Sequence, residues 1–127
     1  MIKIAILASS EGLHFQSLIE AKKSGKLKAE LCCLITDKAD CGAAQKARAA
    51  SIRVYYFDAR EVDAGVYEEQ VAATLDYFKT DLVVLDGFGR PLSSAFSKKY
   101  ADRLVNVDTK ESAEKFVQRL MDEKILV

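Results

Sequence analysis

Apolar residues fall along this chain in two alternating textures. Short unbroken runs of aliphatic and β-branched residues, closed by Gly, Ser, Asp or Asn, read as strands buried on both faces of a sheet. Five such runs occur: Ile2–Ala8, Glu30–Thr36, Ile52–Phe57, Leu82–Leu85 and Arg103–Val107. Between them the apolar period lengthens to three or four residues, the spacing of one helix face. Leu13, Phe15, Leu18, Ile19 and Ala21 give the first helix, which stops at Ser24-Gly25, where Gly25 suits a left-handed cap. An alanine-rich helix follows at Ala43–Ala50, and the longest runs from Glu61 to about Thr80 through Tyr67, Val71, Leu75 and Phe78. Ser93–Tyr100 is a short helical pattern. Ala113, Phe116, Val117, Leu120 and Met121 mark a last amphipathic helix within Thr109–Val127, opened by a capping box of Asp108 and Glu111.

Strands that alternate with helices, joined by connections long enough for right-handed crossovers, predict a doubly wound, Rossmann-like parallel sheet. The expected strand order is 3-2-1-4-5, in a three-layer sandwich with a C-terminal helix, and residues 1–127 form one domain. That order puts strands one and four at the switch point, where open α/β sheets place ligands. The loop Ser9–His14 then faces Asp86–Leu92, with Asn106 at the end of the fifth strand. Asp86, Arg90, Asn106 and Asp108 reach the same rim.

Lysine plus arginine equals aspartate plus glutamate at 19 each, so no basic field favours nucleic acid or an anionic membrane. The apolar start is too short to span a bilayer and lacks the order of a signal peptide, so a cytoplasmic location is expected. Three cysteines are present. Cys32 and Cys33 are adjacent, and strand neighbours are expected to point to opposite faces, which makes them poor disulfide partners and poor co-ligands. Cys41 has no CxxC partner, and no metal site is expected. Ile125-Leu126-Val127 is an apolar tail that needs a groove on its own domain or a partner, and through it the C-terminal helix is a candidate homodimer contact.

Four segments, ILASSEGLHFQSLIEAKKSGKL, CCLITDKADCGAAQKARAA, DLVVLDGFGRPLSSAFS and DRLVNVD, together resemble the glycinamide ribonucleotide formyltransferase family. ILASSEGLHFQSLIEA corresponds to the family's strand, SGNGSN loop and F/L-Q-A-L-I-E-A helix. DLVVLDGFGRPLSSAFS corresponds to DLVVLAGFMRILSPEFV, and DRLVNVD to the start of GRILNIHPSLLP. The likeness runs in register from Met1 to about Asp108, the extent of an N-terminal half. It implies formyl transfer from 10-formyltetrahydrofolate to the amine of glycinamide ribonucleotide, in the purine biosynthesis lineage.

By this resemblance Asn106 is the amide that donates to the oxyanion on the formyl carbon. The family's histidine two residues later is replaced by Asp108, and an ionised carboxylate there donates no proton. A third family group, an aspartate from a later loop, has no counterpart in these 127 residues. The resemblance implies phosphate binding at Gly12, Leu13 and His14, on the positive end of a helix. Against it, Ser10 replaces a loop glycine and Glu11 brings a carboxylate, whose charge at contact distance costs roughly 4 kcal/mol at an effective dielectric of 20. The folate-side loop is matched at Gly87, Phe88, Arg90 and Leu92, with Gly89 and Pro91 in place of larger residues.

Each residue also has a plainer reading. Asn106 closes a strand, Asp108 caps a helix, His14 is an exposed first-turn histidine and Arg90 a surface ion-pair partner. Asp86, where the family has alanine, either bonds to neighbouring loop amides or ionises beside Arg90. A phosphoacceptor receiver domain shares this architecture, with Asp58 and Lys110 near its required places, but Ser9-Ser10 stand where its paired acids belong. The expectation is a catalytically incomplete formyltransferase-like protein that binds a nucleotide-like or folate-like ligand, or a partner. The alternatives are an active enzyme, alone or completed by another chain, and a dimerising interaction module.

Overall fold

The structure is a computed structural model, and it describes residues 2–58, 60, 63–89, 92–107, 112, 115, 117–119 and 122. Five strands form one parallel sheet: β1 (Ile2–Leu7), β2 (Ala29–Thr36), β3 (Val54–Tyr56), β4 (Leu82–Leu85) and β5 (Leu104–Asn106). Their spatial order is β3-β2-β1-β4-β5, the doubly wound order read from the sequence. The crossovers are α1 (Leu13–Lys23), α2 (Gly42–Ala49), α3 (Ala64–Tyr77) and α4 (Ser94–Lys99).

Central β1 explains the layering. Ile4 through Ala8 are fully buried, and they alternate between two cores. Ile4, Ile6 and Ala8 join Phe15, Leu18, Ala43 and Ala47 beneath α1 and α2. Ala5 and Leu7 join Tyr67, Val71, Leu75 and Phe96 beneath α3 and α4. A continuous apolar run is what a strand with helices on both faces requires.

Several boundaries differ from the expected ones. β3 starts at Val54 because Ile52 N–H turns back to Ala47 O at 2.8 Å, tying that residue to the end of α2. α3 opens at Ala64, where the Asp63 side chain accepts from Val66 N–H at 2.9 Å, so its described part starts after the expected Glu61. It closes at Tyr77 because Lys79 adopts φ 52. Asp108, Glu111 and the Ile125–Val127 tail lie outside the described residues, as do Arg90 and Pro91. Of the C-terminal helix, Lys115, Val117–Arg119 and Asp122 are described as helical, and Val117 packs into the α1 and α2 core.

The expected alternation fails at the paired cysteines. Ile4 pairs with Leu31 and Ala5 with Cys33, so Cys32 is the extra residue of a bulge. As a result Cys32 and Cys33 both enter the α3 layer, rather than facing opposite sides. The Cys32 thiol donates to Ile4 O at 3.4 Å, and all three cysteines are free. The hydrogen bond between the two thiols lowers Cys32 to about 7. The same bond, with burial, pushes Cys33 well above the ordinary thiol range.

Candidate functional site

Leu7, Leu85 and Asn106 stand level on three adjacent strands, so the loops that follow β1, β4 and β5 leave the sheet at one height. These are the segments that the sequence places around the switch point. The first two are stitched together. Ser9 N–H donates to Gly87 O at 3.3 Å, and Gly89 N–H donates to Ser9 Oγ at 2.7 Å. Ser9 Oγ in turn donates to Asp37 at the end of β2. Gly87 has φ 68, and a Cβ there would lie 3.0 Å from Ser10 Oγ, so the two loops touch where only glycine fits well.

Gly12 begins α1 in a left-handed conformation and supplies no side-chain cap. The acceptor comes from the residue just after β4 instead. Asp86 Oδ2 accepts from Phe15 N–H at 2.9 Å, and Asp86 Oδ1 lies 3.6 Å from His14 Nδ1. Asp86 is 7% exposed and His14 9%. His14 is thus not the exposed first-turn histidine of the plainer reading. Of the two partners considered for Asp86, the amide is observed, and it belongs to a helix rather than to its own loop. Leu13, by contrast, is 68% exposed.

A Cβ on Gly42 would lie 2.7 Å from Glu11 Oε2, so this carboxylate sits against the first turn of α2. An acid is stabilised there by the helix dipole. The Glu11 carbonyl accepts from Lys46 Nζ at 2.6 Å, and Ser10 O accepts from Ala43 N–H at 2.9 Å. A cleft of about 490 Å³ opens between Ser9–Glu11 and Lys38–Gly42.

On the opposite side of the crevice, Phe88 stacks on Tyr67 of α3 with ring centroids 6.3 Å apart. Leu92 packs at the edge of the α3 core. Both side chains are therefore committed to packing, while Gly87 is exposed. Asn106 is exposed at the end of β5, and its carbonyl accepts from Arg119 Nη2 at 3.3 Å. Among the described residues no group of three or more His, Cys, Asp or Glu side chains is placed to hold a metal ion.

Sequence reasoning named Asp86 and His14 separately and missed that they meet. The available signal was an acid ending a fully apolar strand on the same rim as the single histidine. Asp37 was missed outright, since nothing in its own neighbourhood sets it apart.

The fold and crevice define a doubly wound α/β protein whose switch point lies between β1 and β4, with loops closing over it from both. The family model described as "Formyl transferase" matches residues 2–109, and the chain belongs to that family. Phosphoribosylglycinamide formyltransferase of Escherichia coli is 35% identical over 111 residues, covering 84% of this chain and 50% of that protein. Among solved structures, the enzyme of that name from Coxiella burnetii superposes with TM-score 0.79 at 30% identity, covering 83% of this chain and 50% of the other. The one from Brucella melitensis gives TM-score 0.78 at 28% identity, over 98% and 67%. The chain spans about half the length of the bacterial relatives it matches.

Proposed function

We propose that this chain is a purine-lineage formyltransferase-family protein of the cytoplasm that binds a nucleotide-like or folate-like ligand at its crevice and does not transfer formyl groups unaided. The observation that carries this reading is the pairing of an exposed Asn106 at the rim with an aspartate at position 108. By the family resemblance the first would steady an oxyanion, but the second lacks the proton that a histidine would deliver. Loss of an acid–base group of this kind typically costs about a hundredfold or more in rate. The stitched loops Ser9–Gly12 and Gly87–Gly89 support a preformed crevice.

For 10-formyltetrahydrofolate, the fit is partial. Phe88 and Leu92 already serve the core, the Gly89 amide donates to Ser9 Oγ and Gly87 O accepts from Ser9 N–H, so the described part of this loop is largely committed to the fold. The active-enzyme alternative draws on the exposure of Asn106, and it expects Asn106→Ala to abolish turnover.

The test is a formyl-transfer assay beside an amide-shift titration with glycinamide ribonucleotide and then a folate analogue. Shifts at Gly87–Gly89 and Asn106 without turnover are expected. Turnover at rates typical of an enzyme overturns the reading, and a flat titration removes the ligand-binding part of it.

A further inference from the structure

The start of α1 is electrostatically a place for an anion. The first amides of a helix have no acceptor within it, and the dipole leaves about half a positive charge there. Helices α3 and α4 meet this demand locally, through Asp63 and Ser93. α1 has no such device, because its N-cap is Gly12. Its acceptor is Asp86, 71 positions along the chain from Phe15.

The arrangement around Asp86 is that of a bound anion. One carboxylate oxygen takes the Phe15 amide at 2.9 Å, and the other faces the His14 imidazole at 3.6 Å. The backbone of Asp86 is fixed by its own N–H donating to Leu7 O at 2.9 Å. At 7% exposure this carboxylate is nine-tenths buried, and a charge so placed persists only where partners compensate it. The Phe15 amide at the helix end is such a partner, and the imidazole stands beside the other oxygen. They are also the groups a phosphate oxygen would use.

We propose that Asp86 is a resident anion that fills the anion position at the start of α1, so that the crevice selects ligands carrying no phosphate there. A phosphate approaching this helix end meets an engaged amide and a like charge that cannot withdraw into solvent. Asp86 is thus a specificity-determining residue, and what it excludes is a phosphomonoester seated on the start of α1. The inference depends on the ligand-binding reading only for the statement that this crevice receives a ligand at all.

The test uses inorganic phosphate as the probe, with amide spectra of the full chain as wild type, Asp86→Ala and Asp86→Asn, at matched ionic strength. The wild type is expected to show no saturable shift at Leu13, His14 or Phe15. Asp86→Ala frees the Phe15 amide and removes the competing charge, and it is expected to bind phosphate at least about tenfold more tightly at those residues. Asp86→Asn keeps an oxygen facing Phe15 while removing the charge, so it shows a smaller gain and guards against an alanine variant that fails to fold. Equal affinity in wild type and variants overturns the proposal, as does a folded variant whose amides stay still. A crevice that ignores nucleotide and folate alike leaves this contrast intact, so the two readings fail separately.

Discussion

At the level of single residues, Gly12 is constrained twice over. It combines φ 66 with a position where a Cβ would lie 2.9 Å from the Ala43 Cβ. A side chain there meets left-handed strain of about 1–2 kcal/mol and a steric overlap with α2 of comparable size. Gly12→Ala is therefore expected to lower stability by about 2–4 kcal/mol, read from the midpoint of urea unfolding. The glycine-bearing loop was legible in the sequence as a loop, and its neighbours as candidate ligand residues. Its actual demand, close approach to α2, was not, because the contact joins segments that no local pattern connects.

Among the elements, three helices end in the same way with three different residues. After α1, α2 and α3 the chain turns through Gly25 at φ 83, Ser51 at φ 60 and Lys79 at φ 52. At Ser51 and Lys79 the two hydrogen bonds of a Schellman turn are complete: Ser51 to Arg48 O and Ile52 to Ala47 O, then Lys79 to Asp76 O and Thr80 to Leu75 O. Only Gly25 announced itself in the sequence. A serine or lysine at such a position carries no signal, which is why the starting residue of β3 and the end of α3 were misjudged. The geometry makes an expectation for the exposed Lys79. Lys79→Gly relieves the left-handed strain at the cost of some unfolded-state entropy, for a net gain of about 0.5–1 kcal/mol in denaturant unfolding.

Over the whole molecule, sheet order was legible because each strand is an apolar run buried on both faces and each crossover has only one favoured hand. The bulge in β2 was not legible, since Leu31-Cys32-Cys33-Leu34 is apolar whichever way its members point. It gives the protein two buried reporters. Cys32 is 8% exposed and Cys33 fully buried beneath α3, whereas Cys41 is half-buried at the mouth of the cleft. Although Cys32 is the more acidic of the buried pair, access decides reactivity here. In native buffer a thiol reagent is expected to modify Cys41 first, with Cys32 and Cys33 reacting only as the sheet and α3 separate. Peptide mapping of a labelling time course, with and without denaturant, checks this.

The reach of Asp86 across the sheet bears on how this chain folds. A helix capped by its own neighbours can begin alone, but the Phe15 amide finds its acceptor only on a residue 71 positions further along the chain. The first turn of α1 is therefore expected to gain this partner only when β4 docks beside β1, although α1 is the first helix of the chain. Hydrogen exchange at Phe15 is then expected to report the parting of β1 from β4 rather than the fraying of a helix end.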